Sequence, residues 1–210
     1  MAELGKFIVF EGIDGAGKTT QVELLAKHLR SLGREVSLSA EPTTLESGKA
    51  IRRALSGAEK KSECQMAAMF VLDRIAHNID EEIGIRALTA KGIDVISDRY
   101  YYSSLAYQGA ATDYGWVKQM NIGSPEIRRP DLCIFLDISP KEALARIGKR
   151  GEAKEIYEKH SITISVVGIG IDYIDLSISE CEPLSDIPSA GDIIVQHGNT
   201  TNRDRQSAIE

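Results

Sequence analysis

Gly12-Ile13-Asp14-Gly15-Ala16-Gly17-Lys18-Thr19 has the residue types and spacing of a phosphate-cradling loop, G-x-x-x-x-G-K-[ST]. Glycines free consecutive backbone N–H groups to point into one concavity, and a helix that follows adds its positive end. Lys18 brings a charge for β- and γ-phosphates, and Thr19 a hydroxyl for Mg²⁺. Thr20 completes the nucleotide-binding set. The loop predicts a bound nucleoside triphosphate.

Other groups could act beside it. Asp98-Arg99 pairs a carboxylate able to orient Mg²⁺-bound water with a guanidinium able to fork onto phosphate oxygens. Taken alone, the two also read as a surface ion pair. Phe70 and Arg74 stand four apart, on one helical face; one could stack on a nucleobase while the other bonds an exocyclic oxygen. The same spacing fits a core Phe70 and an Arg74 paired with Asp73 or another carboxylate. Tyr100, Tyr101, Tyr102 and Tyr107, with Ser103, Ser104 and Gln108, could line a polar pocket or simply pack. Arg52 or Arg53 could meet a phosphate. Arg146, Lys149, Arg150 and Lys154 could form a basic segment that closes over transferring phosphates, or an exposed helix face.

Much other chemistry is disfavoured. His28, His77, His160 and His197 are scattered, and no N-K-x-D guanine-reading motif is present. The net charge of −6 offers no basic field for nucleic acid. Cys64, Cys133 and Cys181 have no metal or redox spacing and fit a reducing cytosol. The first apolar run is only Phe7–Phe10, too short for a signal core, and no window approaches a membrane span. A cytoplasmic protein without a membrane partner is expected.

These groups need a scaffold. Apolar runs at Phe7–Phe10, Val36–Ala40, Ile93–Ser97 and Leu132–Leu136 predict strands. Helical patterns separate them. One, at Gln21–Leu32, carries Val22, Leu25, Leu29 and Leu32 on one face and stops at Gly33. A shorter one covers Ser47–Leu55. A long one opens at a capping box, Ser62-x-x-Gln65, carries Leu72, Ile75, Ile79 and Ile83, and closes at Gly92. Further helices fall near Tyr102–Gln108, near Asp113–Gly123 and after Pro140. This alternation predicts an α/β fold, a parallel sheet of about five strands in three layers with helices on both faces. Ligands of such sheets sit beyond the strands' carboxyl ends. That rule singles out the phosphate loop, Glu41-Pro42-Thr43, Asp98-Arg99-Tyr100 and Asp137.

After Lys159 the composition changes: residues 160–210 hold no lysine, two leucines and ten isoleucines. Ser161–Ile171 alternates like a strand or hairpin. Asp192–Gln196 reads as a last strand, and the end beyond Asn199 as frayed. Divergence explains this break, and so does a changed reading frame; translating the coding DNA in its other frames separates the two.

Five stretches together resemble a thymidylate kinase: Phe10–Thr20, Glu41-Pro42-Thr43, Phe70–Arg74, Asp98–Gln108 and Pro130–Asp137. The resemblance covers residues 6 to about 157. It implies a P-loop kinase domain over 1–210, with a basic lid near 146–157 and an atypical segment 160–210. It implies transfer of the γ-phosphoryl of MgATP to dTMP in dTTP synthesis. Phe70 would then stack on thymine and Arg74 bond its O4. Ser104 would face the base, with Pro42, Ser103 and Gln108 nearby, and Tyr107 would crowd the sugar 2′ position. Arg99 and Arg52 would hold the acceptor phosphate, and Asp14 would meet the 3′-hydroxyl and the transfer zone. Asp98 would act on Mg²⁺ through water. The loop interior lacks an arginine, which points to Arg146 and Arg150 in the lid, Arg150 foremost as the catalytic one. The resemblance also implies a possible homodimer. A kinase for another nucleoside or nucleoside monophosphate is the alternative, as is a nucleotide-binding domain impaired by its tail.

Overall fold

The computed structural model describes residues 4–148 and 192–197. Five parallel strands form one sheet in the order β2-β3-β1-β4-β5. They are β1 (Phe7–Glu11), β2 (Val36–Ala40), β3 (Asp94–Asp98), β4 (Leu132–Asp137) and β5 (Asp192–His197). Seven helices lie among the described residues: α1 (Lys18–Ser31), α2 (Glu46–Leu55), α3 (Glu63–Ile79), α4 (Ile85–Ala90), α5 (Tyr101–Ala111), α6 (Tyr114–Ile122) and α7 (Pro140–Gly148).

The central strand shows why the sheet needs two covers. All five residues of β1 are buried, and its side chains alternate between faces. Phe7 and Val9 enter a cluster with Val95, Tyr100, Leu105 and Val117. Ile8 and Phe10 enter a second one with Val22, Ala26, Leu29 and Leu136 on the opposite face. A strand buried on both faces reads as an unbroken apolar run. The expected strand at Asp192–Gln196 is present, one residue longer, in parallel register from Leu132↔Asp192 to Asp137↔His197.

Two expectations need correction. The first helix begins at Lys18, three residues before the expected Gln21, because Gly17 at φ 93° turns the loop directly into the helix. The long helix does not reach Gly92. Its capping box forms as expected, but Asp80 stops it: Asp80 Oδ1 accepts from the Glu82 and Ile83 amides, both at 2.9 Å. Those N–H groups hold the Asp80 carboxyl below its usual range. Gly84 follows, where a Cβ would stand 2.3 Å from the Asp80 carbonyl oxygen, and α4 starts afresh.

Of the expected apolar face of this helix, Ile75 alone packs against the core. Leu72, Ile79 and Ile83 are exposed, whereas Met66, Ala67, Asp73, Arg74, His77 and Asn78 are buried. Polar side chains can face inward here because each finds a partner. Among the described residues, no buried side-chain nitrogen or oxygen lacks a hydrogen bond. The Ser161–Ile171 alternation, Lys149, Arg150 and Lys154 lie outside the described residues.

Candidate functional site

Residues 12–17 join β1 to α1 beyond the carboxyl end of the sheet. Three glycines adopt positive φ: Gly12 at 142°, Gly15 at 83° and Gly17 at 93°. Space forbids a side chain at two of them. A Cβ on Gly12 would lie 2.7 Å from the Leu136 carbonyl oxygen, and one on Gly15 would lie 2.6 Å from that of Ala143. Ile13 and Ala16 pack beneath the loop into the α1-side core. Lys18 folds back over it, donating to the carbonyls of Gly12 (3.0 Å) and Ile13 (3.1 Å), with Asp14 Oδ1 at 3.8 Å. Burial, then the Arg99 charge, lowers its ammonium to a pKa of about 8, against the pull of Asp14, Asp98 and Glu11.

Thr19 donates its hydroxyl to Asp98 Oδ2 at 2.9 Å. A hydroxyl and a carboxylate at the mouth of a phosphate loop are hard oxygen ligands of the kind Mg²⁺ prefers. Thr20 is exposed on α1. Arg146, on α7, crosses over the loop, with Nη1 3.5 Å from the Gly15 oxygen and 3.4 Å from that of Ala16. The arginine expected to meet the nucleotide thus lies against the loop's main chain.

A second recess opens beside the loop. Asp14, Glu41, Pro42, Leu55, Phe70, Arg74, Arg99, Tyr100, Ser103, Ser104, Tyr107 and Gln108 line a narrow cleft of about 70 Å³. Nearly every expected acceptor residue is therefore brought to one place. Arg99 bridges the two recesses. Its guanidinium pairs with Asp14, donates to Ser103 Oγ at 2.9 Å and lies 5.7 Å from the centre of the Tyr107 ring. Its backbone sits at φ 73°, unusual for a residue with a side chain. The Arg99 amide donates to Phe10, and its carbonyl accepts from Ser97 Oγ.

The ion-pair reading of Arg74 holds, though not with Asp73, with the residue placed at the cleft. Its partner is Glu41, through Nε at 2.8 Å and Nη2 at 2.6 Å. It also donates to Asn121 Oδ1 and, at 3.2 Å, to Ser104 Oγ. Asp73 instead accepts from the Thr43 amide at 2.7 Å and from Ser47 Oγ at 2.7 Å, pinning the Pro42-Thr43 loop to α3. Phe70 packs against Ile51, Leu55 and Met66. Arg52 donates to the Pro42 and Thr43 carbonyls, so it reaches the rim of the cleft but bonds main chain there. Of the tyrosines, only Tyr100 and Tyr107 line the cleft; Tyr101 and Tyr102 belong to the core cluster and do not form a pocket.

Two contributors were not among the expected site residues: Glu11 and Asn121. Glu11 ends β1, so the same rule that singled out Asp98 and Glu41 could have found it. Asn121 carries no local signal.

A parallel sheet, a glycine-rich loop opening a helix and an adjoining acceptor cleft define a P-loop nucleotide kinase. The family described as thymidylate kinase matches residues 10–168. A probable thymidylate kinase of Pyrococcus horikoshii is 47% identical over 158 residues, covering 72% of this chain and 74% of that protein. One of Methanococcus aeolicus is 36% identical over 201 residues, covering 94% and 90%, so that similarity runs past Lys159. The thymidylate kinase structure from Ehrlichia chaffeensis superposes with a TM-score of 0.57 at 30% identity, covering 69% of this chain and 83% of that one. The Candida albicans thymidylate kinase, at 24% identity and a TM-score of 0.61 over 74% and 71%, shares the fold. The chain belongs to the thymidylate kinase family and is a phosphotransferase that converts dTMP to dTDP with ATP.

Proposed function

We propose that residues 12–20 with Arg146 hold ATP, and that the adjoining cleft holds dTMP with its phosphate toward Arg99. The observation that carries this assignment is the Arg99–Asp14 ion pair, which joins the acceptor cleft to the interior of the phosphate loop. Phosphoryl transfer requires that junction, because donor and acceptor oxygens must lie in line across it.

In this reading Lys18 and Arg99 neutralise charge on the transferring group, and Asp14 orients the acceptor. Phe70 stacks on the pyrimidine, and Arg74 and Ser104 address its exocyclic oxygen. Pro42, Tyr107 and Gln108 close the walls, and Arg52 leaves its carbonyls for the acceptor phosphate. Ser103 acts through Arg99. Thr19 and Asp98, the latter through water, fit Mg²⁺, which when bound neutralises phosphate charge. We extend the lid reading to residues 146–157, with Arg150 as the catalytic arginine, because Arg146 at the start of that segment already stands over the loop. The chain is proposed to form one kinase domain that works in the cytoplasm, as a homodimer. Leu72 and Ile79, exposed and seven apart on α3, offer an apolar stripe to a second copy.

A coupled assay with MgATP and a panel of nucleosides and monophosphates tests the assignment. dTMP should be the best acceptor, and Lys18→Ala should cost about 10²–10³ in kcat. Faster turnover of UMP or of a nucleoside overturns the acceptor assignment, and an active Lys18→Ala overturns the role given to Lys18. Light scattering that finds a monomer at working concentration overturns the dimer.

A further inference from the structure

Behind Arg74 lies a chain of three groups, of which Glu41 alone lines the cleft while His77 and Ser39 stand behind it. Glu41 gives one oxygen, Oε2, to Arg74. Its other oxygen, Oε1, faces His77 Nδ1 at 2.9 Å, and His77 Nε2 lies 2.5 Å from Ser39 Oγ. Exposure is 1% for Arg74, 5% for Glu41 and 5% for His77. One tautomer serves both contacts: Nδ1–H donates to Glu41, and the Ser39 hydroxyl donates to Nε2.

Ser39, His77 and Glu41 are connected in the order of a hydrolytic triad. The carboxylate, however, is already committed to the Arg74 guanidinium, so the chain runs toward the arginine and not toward the serine. Arg74 has five N–H donors. Glu41 accepts from Nε and is ion-paired with Nη2 at 2.6 Å, Ser104 accepts from Nη2, and Asn121 accepts from Nη1. A single Nη1 hydrogen remains for a ligand. Where it points depends on the plane of the guanidinium, which the Glu41 carboxylate sets. The His77 contact stops that carboxylate from rotating about its own side chain.

We propose that His77, seated between Ser39 and Glu41, is a positioning residue that fixes the Arg74 guanidinium and so sets how selectively the cleft takes its pyrimidine base. This rests on the reading of Arg74 as the base-contacting residue. Groups that orient metal ligands are worth about 10- to 100-fold, and a group orienting a base-contacting arginine is expected to act on the same scale.

Steady-state kinetics of His77→Phe, His77→Gln, Ser39→Ala and Arg74→Gln provide the test. His77→Phe should raise the dTMP KM about tenfold and narrow the preference for dTMP over dCMP, with the ATP KM unchanged. His77→Gln, whose amide can still donate to Glu41, should recover most of the loss. Ser39→Ala should raise the dTMP KM about two- to threefold; it serves as the deciding variant should His77→Phe fail to fold. An unchanged dTMP KM in Ser39→Ala and His77→Phe, with Arg74→Gln impaired, overturns the positioning role and leaves the base contact standing. Equal increases in both KM values with a lowered Tm make His77 merely structural and also overturn it. An unimpaired Arg74→Gln overturns the base contact itself.

Discussion

Glu11 accepts the amide proton of Tyr100 at 2.9 Å, so the residue before the phosphate loop holds the residue after Arg99. The same carboxylate accepts from the Ser103 amide at 3.1 Å and from Ser103 Oγ at 2.6 Å. Its burial, opposed by the Arg99 charge and these donors, raises its pKa above the usual 4.5. Glu11→Ala would leave buried donors without an acceptor, at about 1–3 kcal/mol each. It should also free Arg99 from its left-handed backbone. Denaturant unfolding should show the loss of stability, and the dTMP KM should rise with it. Glu11→Gln, which keeps an acceptor for both amides, should be milder on both counts.

Lys18 predicts a pH dependence. Its pKa falls from 10.5 unfolded to about 8 folded. Between those values the unfolded chain binds the extra proton, so this lysine's contribution makes stability rise as pH climbs through about 8 toward 10.5. Lys18→Met should remove that part of the slope in unfolding experiments at pH 7 to 10. Bound phosphates favour the charged ammonium, so ATP binding above pH 8 should take up a proton. Calorimetry in two buffers of different ionisation enthalpy reads that uptake directly.

Thr19 and Asp98 predict a metal phenotype. Asp98→Asn keeps the size of the side chain and an oxygen for the Thr19 hydroxyl, but loses the charge. The Mg²⁺ concentration giving half-maximal rate should rise about tenfold, by analogy with other groups that orient metal-bound ligands. Thermal stability should change little, because the contact is exposed. An unchanged Mg²⁺ requirement would remove Asp98 from the metal site.

Gly48 predicts that α2 shapes the cleft. A Cβ there would lie 2.0 Å from the Thr43 carbonyl oxygen, a main-chain atom that cannot swing aside. Gly48→Ala must therefore shift α2 or the Pro42-Thr43 loop. The dTMP KM should rise several-fold and Tm should fall, although alanine is the better helix former by about 1 kcal/mol. A stabilised Gly48→Ala would show that the loop yields freely.

The legible parts of the site are those whose chemistry is contiguous. Residues 12–19 carry their own backbone donors, glycines and lysine in one stretch, and the loop forms where its spacing places it. Asp98 and Arg99 were found because a strand's end is a local event and parallel sheets gather ligands there. The face of α3 was not legible. Leu72, Ile75, Ile79 and Ile83 recur at helical spacing, yet Leu72, Ile79 and Ile83 are exposed while Asp73, Arg74 and His77 turn inward. Periodicity measures where apolar residues lie, and it cannot register that carboxylates and hydroxyls elsewhere in the chain satisfy a polar face.

The same division runs through the cleft. The amino-acid sequence by itself determined the phosphate loop, the strand order's raw material and the family, since each rests on short stretches and their spacing. Only the tertiary structure decided that Ser103 serves Glu11 and Arg99 while its neighbour Ser104 serves Arg74; one step along a helix turns a side chain by about 100°. It alone joined Arg74 to Glu41, Ser104 and Asn121, which lie 33, 30 and 47 residues away. A buried guanidinium needs several fixed acceptors at once, and no local segment can supply them.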